Sequence, residues 1–264
     1  MNIKNTKFTS KSNKQEKILS SNPLHVGEEI LLNIKRIGIN GEGIGYYKRL
    51  AVFIPGALPK EDVIVKITKL FEKYAYGEVV KTKTTNEMRI NPLCKFYNSC
   101  GGCQLQHANY ELQKSLKQEM VEEAFLNYYE TELKENVIKQ IQGCNDIYNY
   151  RQKEKMPVRY DGDKLVTGMY ESSTNRLVYI NKCEVENQYL RKCLDEVLEY
   201  LSKSQIIAFN PKSKDGVLRY IIIRRSTFND DCQIILVLYK NDERTIKIAE
   251  ELTKVNHVKS VYVS

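Results

Sequence analysis

The sequence has no run of apolar residues that approaches the roughly 18 needed to cross a membrane. Its first twenty residues are polar and rich in lysine, and they contain no apolar core of the kind found in secretory signals. These absences exclude a helical membrane protein and predict a cytoplasmic protein with no membrane partner. Because cytoplasmic thiols are kept reduced, clustered cysteines there bind metal or do chemistry more often than they form disulfides.

Several active-site patterns are also missing. The acidic residues show no paired arrangement that suggests general acid–base catalysis. Gly41, Gly43 and Gly45 are not followed by a helix, so their spacing indicates a bend or bulge and not a phosphate-binding loop. The C-x3-C-x2-C spacing of radical S-adenosylmethionine enzymes is absent as well.

The positive charge is concentrated in the first third of the chain. The net charge is +8, of which residues 1–21 contribute five lysines against one acid and residues 22–90 eleven basic residues against eight acids. This distribution favours a polyanionic partner, with an ordinary solvated surface as the alternative. Residues 1–21 have few apolar residues and are predicted to be a disordered basic tail.

Residues 22–85 are predicted to form a small all-β barrel of the OB kind. Short β-branched and aromatic runs alternate with glycine and proline, which is typical of closely connected short strands. The predicted strands are Ile30–Ile37, Gly43–Tyr47, Ala51–Ile54, Asp62–Leu70 and Ala75–Lys81.

Residues 86–264 are predicted to form an α+β domain with a mostly antiparallel sheet. A stripe of apolar residues every four positions, from Leu112 to Tyr128, indicates one helix, and Asn187–Lys203 and Thr245–Val255 indicate two more. Hairpins are expected around Asp161-Gly162-Asp163 and Asn229-Asp230-Asp231. The final strand, Val258–Val263, has no polar tail after it, so we expect this domain to be truncated at its C-terminal end.

Three of the seven cysteines, Cys94, Cys100 and Cys103, lie within ten residues. Three thiolates that converge on a small volume repel one another unless a cation holds them, so this segment predicts a metal site. Three local ligands with one distant partner suit an iron–sulfur cluster better than structural zinc, which usually takes its ligands as two close pairs. Zinc and a metal-free loop are the alternatives. His107 is predicted to pack or to cap, not to bind metal.

The residues alone leave the fourth ligand open. Cys193 lies on the apolar face of a predicted helix and Cys232 begins a strand, so both are predicted to be core thiols. Cys144 and Cys183 lie in predicted loops and could each reach the other three.

The segment CKFYNSCGGCQLQH, which begins at Cys94, resembles the C-x5-C-G-G-C-x2-Q-H motif of the bacterial 23S ribosomal RNA (uracil-5-)-methyltransferases. The segment VFIPGALPKEDVIVKI resembles the RNA-binding TRAM barrel of that family, although Lys60 replaces a glycine that is usual there. Tyr150–Lys153 and Leu218–Tyr220 resemble further motifs of its central domain. This resemblance implies a 4Fe-4S cluster held by Cys94, Cys100, Cys103 and Cys183.

The resemblance also implies chemistry that we do not find in this sequence. Members of the family use a C-terminal domain that binds S-adenosylmethionine, and a cysteine thiolate that adds to uracil C6 makes C5 the carbon that accepts the methyl group. No strand, glycine-rich turn and helix of that domain is recognised here, and none of the seven cysteines matches the nucleophile. The chain is therefore expected to lack the catalytic domain, and no catalytic residue is assigned.

Aromatic and basic side chains predict where RNA binds. Stacking surfaces combine rings with cations, and the barrel offers both, although the ring of Phe53 is predicted to pack in the core. Arg151, Lys153, Lys155 and Arg159 alternate along one predicted strand and are expected to share a face. The residues predicted to bind RNA are Lys48, Arg49, Lys73, Tyr74, Arg151, Lys153 and Arg219.

Together these features predict a protein that acts in S-adenosylmethionine-dependent formation of 5-methyluridine in 23S ribosomal RNA. In this hypothesis the chain is a monomer that supplies the RNA-recognition and iron–sulfur portion. The alternative hypothesis is a catalytically inactive, free-standing iron–sulfur module that binds structured RNA.

Overall fold

The computed structural model describes residues 23–128, 137–172 and 174–264. The predicted basic tail, residues 1–21, lies outside the described residues. The chain divides into two compact units, one comprising Met1–Asn91 with Gln104–Gly143 and the other Pro92–Cys103 with Cys144–Ser264.

The first unit contains a closed barrel of five strands, in the order β1-β2-β3-β5-β4. Every neighbouring pair is antiparallel except β3 and β5, which are parallel. The five-stranded barrel predicted from the sequence is confirmed. The strands are β1 (Glu29–Ile37), β2 (Gly43–Tyr47), β3 (Leu50–Ile54), β4 (Asp62–Leu70) and β5 (Tyr74–Thr84).

Alternation along the strands fills the barrel. In β1, Ile30, Leu32 and Ile34 are buried while the residues between them are exposed, as expected of a strand with one face in the core. Val52 and Ile54 of β3 enter the same core cluster. The period of two is therefore the signal that specifies which side of each strand faces inward.

The described residues of the same unit include one helix, α1 (Tyr110–Tyr128). The Asn109 side chain accepts a hydrogen bond from the Leu112 backbone N–H at 2.9 Å, which is the geometry of an N-terminal cap. Leu112 and Leu116 are buried in a cluster with Ile37 and Leu58. The apolar stripe predicted for this helix is thus buried at its N-terminal end, whereas the side chain of Tyr128 is not among those described.

A buried ion pair lies beside the barrel. Glu61 is fully buried, and its carboxylate accepts hydrogen bonds from the Arg89 guanidinium at 2.6 and 2.7 Å and from the Leu58 and Asn86 backbone N–H groups at 2.8 and 3.2 Å. Burial acts to raise the pKa of Glu61, but the hydrogen bonds from Arg89 and the backbone outweigh it and hold the pKa below its usual value. Arg89 also donates to the Gly56 carbonyl at 2.7 Å. The pair therefore joins the loop between β3 and β4 to the segment that follows β5.

His107 is buried near this ion pair. Burial, together with the charge of Arg89, lowers the pKa of His107 to about 4, although the negative charge of Glu61 acts to raise it. The neutral imidazole is therefore the form that the folded protein accommodates. This placement agrees with the prediction that His107 packs.

We expect the first unit to lose stability on mild acidification because of His107. In the unfolded chain His107 takes up a proton near pH 6.5, whereas in the folded protein it does so only near pH 4. The free energy of unfolding therefore falls by up to about 3 kcal/mol between pH 6.5 and 4. Urea unfolding at a series of pH values measures this fall. In His107→Gln the fall between pH 6.5 and 4 should be smaller by that amount, and an unchanged pH profile would contradict the assignment.

The second unit is built on a six-stranded sheet, in the order β11-β10-β9-β6-β7-β8. All neighbouring pairs are antiparallel except β10 and β11, which are joined through a helix and run parallel. The sheet is therefore mostly antiparallel. Its strands are β6 (Lys153–Asp161), β7 (Lys164–Tyr170), β8 (Leu177–Tyr179), β9 (Leu218–Arg225), β10 (Cys232–Leu238) and β11 (Val258–Val263).

Two helices of this unit share one core cluster with the inward side chains of the sheet. Helix α2 (Gln188–Lys203) begins at Asn187, whose side chain caps the Tyr189 and Leu190 N–H groups, and helix α3 (Arg244–Leu252) follows β10. Cys193 and Cys232 are both buried in the core, as the sequence predicts. None of the helices among the described residues combines the length and apolarity of a membrane span.

Candidate functional site

The cysteine segment is a series of tight turns in the second unit. Backbone N–H groups of Tyr97, Ser99 and Cys100 bond to carbonyls three or four residues earlier, at 2.7 to 3.1 Å. The Gly101 N–H then donates to the Tyr170 carbonyl at 2.9 Å, which fixes the loop to the end of β7. The three sulfur atoms are thus carried by a loop that the sheet supports.

The structure explains why positions 101 and 102 are both glycine. A Cβ at Gly101 would lie 2.8 Å from the Tyr170 carbonyl oxygen and 3.0 Å from the Ser172 nitrogen, so any side chain would push the loop off the strand. The Gly102 N–H donates to the Cys100 sulfur at 3.3 Å, and a Cβ at Gly102 would also stand 3.3 Å from that sulfur. Glycine is the residue that lets the backbone approach the sulfur this closely.

Cys183 belongs to the same unit, on the turn between β8 and α2. The backbone N–H groups of Val185 and Glu186 act to lower the pKa of its thiol, and the Glu186 N–H donates to the Cys183 carbonyl at 3.3 Å. The Arg151 guanidinium interacts electrostatically with both Cys183 and Cys103, and Cys100 interacts with Cys103 and Cys94. All four cysteines predicted to be ligands are half-buried, whereas Cys144, the other candidate, is exposed.

At Cys100 and Cys183 the surroundings favour the protonated thiol. Burial raises the pKa of Cys100, and the neighbouring Cys103 and Cys94 raise it further, against the N–H of Gly102. Burial likewise raises the pKa of Cys183, with Glu154 and Glu186 adding to the effect. A metal that binds these sulfurs therefore has to displace protons, so its affinity rises with pH.

Within residues 23–128, 137–172 and 174–264, no three histidine, cysteine, aspartate or glutamate side chains are grouped closely enough to hold a metal ion. Each cysteine of a 4Fe-4S cluster binds a different iron atom, so such ligands stand farther apart than the four ligands of one zinc ion. The donor set, four thiols with a backbone N–H group that donates to the Cys100 sulfur, fits a cluster in its chemistry. The arrangement is not that of a single-ion site.

A cluster of four aromatic rings, Phe53, Phe71, Tyr74 and Tyr76, lies on the outside of the barrel. Phe71 and Tyr74 stack with their centroids 4.7 Å apart, and Phe53 lies 5.5 Å from Tyr76 and 5.8 Å from Tyr74. Phe71 is 42% exposed and Tyr74 is 36% exposed. We call these residues the four-ring cluster.

The prediction that Phe53 packs in the barrel core is wrong. Val52 and Ile54 are buried, and strict alternation turns the residue between them outward to Tyr74 and Tyr76 on β5. The period of the strand, and not the size of the ring, decides on which side Phe53 lies. Phe71, in the turn after β4, is the member of this cluster that the sequence did not single out.

Basic side chains accompany the four-ring cluster. Lys48 and Arg49 form the two-residue turn between β2 and β3, both with positive φ angles (46° and 74°) and both exposed, as in a type I′ hairpin. Lys73 is exposed in the turn that separates Phe71 from Tyr74. Lys69 is also exposed and lies opposite Tyr76 in the ladder between β4 and β5.

The predicted RNA-binding residues of the second unit occupy different environments. Lys153 is exposed on β6, and Arg219 is exposed with its guanidinium 5.8 Å from the Phe209 ring. Arg151 precedes β6, its guanidinium lies 3.5 Å from Glu154, and its side chain is 28% exposed. The prediction that Arg151 shares one strand face with Lys153, Lys155 and Arg159 is thus wrong for Arg151, because the strand begins two residues later.

The comparisons with known proteins agree with this architecture. The family model of the TRAM domain matches residues 23–80, which include strands β1 to β4 and most of β5. The chain is 34% identical over 240 residues to an uncharacterized RNA methyltransferase of Halalkalibacterium halodurans, and 30% identical over 238 residues to one of Listeria innocua. In both cases the alignment covers 90% of this chain and 52% of the relative.

A solved structure has a similar fold. It is the Pyrococcus abyssi tRNA (uracil-54, C5)-methyltransferase in complex with S-adenosyl-L-homocysteine, which matches 88% of this chain and 50% of that chain with a TM-score of 0.57 and 20% identity. The chain spans about half the length of these proteins. Because the sequence alignments cover nine-tenths of the chain, we do not retain the prediction that it lacks the catalytic part of the family.

Proposed function

We propose that this protein acts in S-adenosylmethionine-dependent 5-methyluridine formation in 23S ribosomal RNA and that the described residues supply RNA recognition and an iron–sulfur centre. The observation that carries the proposal is the 34% identity over 240 residues to an RNA methyltransferase, which extends through both units. The fold likeness to a uracil C5 methyltransferase supports the same reaction class. The chemical step is not assigned to any residue of this chain.

We infer that Cys94, Cys100, Cys103 and Cys183 hold a 4Fe-4S cluster. Support comes from the donor chemistry, from the Gly102 N–H that donates to the Cys100 sulfur, and from the placement of all four residues in one unit. When bound, such a cluster would tie the loop at 94–103 to the turn at 183 by covalent metal–sulfur bonds. The role proposed for it is structural.

RNA recognition is assigned first to the barrel. The four-ring cluster presents two exposed rings for base stacking, and Lys48, Arg49 and Lys73 are exposed cations on the same small barrel. In the second unit Lys153 and Arg219 are exposed and available to phosphates, whereas Arg151 is assigned to support Glu154 and the cysteine turns. The partner is therefore a structured RNA with accessible unpaired bases.

We expect Phe71→Ala to weaken RNA binding by about tenfold, because loss of one stacked base removes roughly 1–3 kcal/mol. The ring is 42% exposed, so the fold should survive the change. Fluorescence anisotropy with a labelled fragment of 23S ribosomal RNA measures the effect. Phe228→Ala, which removes a ring that is 96% exposed in the turn between β9 and β10, is the matched control and should bind as the wild type does. Equal affinities for all three proteins would contradict a stacking role for the four-ring cluster.

The second candidate is a catalytically inactive iron–sulfur module that binds structured RNA. It is favoured by one observation, namely that none of the seven cysteines matches the nucleophile of the resembled family. A methyl-transfer assay tests whether the chain itself performs the chemical step. The purified chain is incubated with labelled S-adenosylmethionine and transcripts of 23S ribosomal RNA or transfer RNA, and the nucleosides are then analysed.

Label in 5-methyluridine from the 23S transcript supports the proposal as stated. Label from the transfer RNA transcript alone corrects the substrate. Binding of RNA without transfer of label assigns this chain recognition and not the chemical step, and absence of any RNA binding overturns both candidates.

A further inference from the structure

The six-stranded sheet has two unlike faces. One face carries Met156, Ile221 and Ile234 into the core cluster that includes the buried side of α2. The ladder registers place a second set of side chains on the opposite face, which we call the open face. Its central rows are Lys153, Arg224 and Gln233, then Lys155, Ile222 and Ile235, and then Pro157, Tyr220 and Val237.

The open face is partly exposed and basic. Lys153, Lys155 and Arg224 are exposed, and Ile222 and Ile235 are only half-buried. By the period of two, Arg159 also belongs to this face. Among the described strands, the acidic residue that alternation places here is Asp161, at the end of β6 beside the turn. The surface therefore complements a polyanion.

Tyrosines are interleaved with these cations. The Lys155 ammonium lies 4.9 Å from the Tyr220 ring centroid, and the Arg219 guanidinium lies 5.3 Å from it. Burial and a hydrogen bond with Tyr220 raise the pKa of the Tyr170 hydroxyl, which Arg159 also contacts. Tyr170 on β7 and Tyr220 on β9 thus meet across β6.

The composition of the open face favours RNA over a protein partner. Lysine is depleted in the cores of protein–protein interfaces, whereas this surface alternates lysine and arginine with tyrosine and aliphatic side chains. Single-stranded RNA binds to open sheets on which aromatic rings lie beside cations, because the bases stack on the rings and the cations neutralise the phosphates. The contacts on this face indicate no preference for one of the four bases.

We propose that the open face binds a single-stranded segment of RNA, with bases stacked on Tyr220 and Tyr170 and phosphates held by Lys153, Lys155 and Arg224. This inference rests on the proposed function, because it assigns a second RNA-binding surface in addition to the barrel. It extends recognition to residues on β7 and β9 that are about 50 positions apart in the sequence.

The test measures how tightly the full chain binds a labelled, uridine-rich single-stranded RNA of about 12 nucleotides. Fluorescence anisotropy gives the Kd over a range of salt concentrations. Tyr220→Ala should raise the Kd about tenfold, and Tyr220→Phe, which keeps the ring, should stay within about twofold of the wild type. Replacing Lys155 and Arg224 together by alanine should reduce the magnitude of the salt slope by about 1.4, or roughly 0.7 for each phosphate that is no longer neutralised.

Tyr189→Ala is the matched control. Tyr189 is a tyrosine of α2, 52% exposed, with the Arg225 guanidinium 5.3 Å from its ring, and it does not belong to the open face. This variant should bind the RNA as the wild type does. Circular dichroism and the thermal midpoint of each variant establish that the fold is retained, and ultraviolet crosslinking of wild-type protein should label peptides from β9 or β7.

The outcomes separate this inference from the proposed function. If the wild type binds and Tyr220→Ala binds equally well, with no crosslink on the open face, the inference is overturned while RNA recognition by the barrel stands. If Tyr220→Phe is as weak as Tyr220→Ala, stacking is not the mode of binding and the inference also fails. If the variants alter self-association instead of RNA binding, the open face is a protein interface. If the wild type binds no RNA, the proposed function itself fails.

Discussion

Replacing Arg89 by alanine should destabilise the first unit by about 3–5 kcal/mol. The substitution leaves the Glu61 carboxylate fully buried without its cation, and breaking one side of a buried ion pair has effects of that size. It also removes the hydrogen bond to the Gly56 carbonyl. A loss this large is a substantial part of the total stability of a small unit, so unfolding at physiological temperature is expected. Urea denaturation, followed by circular dichroism, measures it.

Arg36→Ala provides the matched control. Arg36 forms an ion pair with Glu123 in the same unit at 3.3 Å, but the two side chains are 39% and 43% exposed, so the loss should stay below about 1 kcal/mol. The double variant Arg89→Ala with Glu61→Gln should be less destabilised than the sum of the two single variants, because the buried charge is gone. Similar losses in Arg89→Ala and Arg36→Ala would contradict the role given to the buried pair.

The second large effect is expected at the cysteines. Protein purified anaerobically should contain about four iron atoms and four sulfides per chain and show visible absorbance, and Cys100→Ser should reduce both to near zero. The reason is that each cluster iron needs its thiolate, and the Cys100 sulfur is also the one that the Gly102 N–H approaches. Colorimetric iron and sulfide determination, with the absorbance spectrum, measures the effect.

Cys144→Ser is the control for this experiment, since Cys144 is exposed and is not one of the four proposed ligands. It should keep the iron and sulfide content of the wild type. Loss of iron in Cys144→Ser with retention in Cys183→Ser would reassign the fourth ligand. Zinc without sulfide in the wild type would overturn the proposed cluster.

The local features of the fold could be predicted because the signals that specify them are local. The alternation of apolar residues in β1, and the glycines and prolines between short strands, predicted the barrel. The apolar stripe from Leu190 to Leu201, which follows the N-cap residue Asn187, predicted α2. Strand β5 extends to Thr84, beyond the predicted Lys81, because β4 offers ladder partners as far as Asp62. The polar residues at the end of β5 do not themselves indicate that a neighbouring strand pairs with them.

The parts that could not be predicted depend on pairing between distant residues. Glu61 and Arg89 are 28 positions apart, and their charges are indistinguishable in the sequence from solvated ones. Tyr170 and Tyr220 meet because β6 lies between β7 and β9, an order that follows from the sheet topology. The choice of Cys183 over Cys144 came from a family resemblance, not from the residues.

Two surfaces, one on each unit, combine rings with cations, and the open face is rich in lysine, which is depleted in the cores of protein–protein interfaces. The four-ring cluster exposes Phe71 and Tyr74 beside Lys73, and the open face exposes Lys153 and Lys155 around Tyr220. An RNA that contacts both must offer unpaired bases at more than one place. This requirement explains why a structured RNA, and not a uniform duplex, is the partner proposed.

RNA binding by the intact chain as a function of salt concentration is the measurement that tests the central claim most directly. The account predicts that the logarithm of the association constant for a 23S ribosomal RNA fragment falls linearly with the logarithm of salt, with a slope of about −2 or steeper, since at least three phosphates are neutralised. Absence of binding at low salt, or a slope near zero, would contradict the claim that this protein recognises RNA.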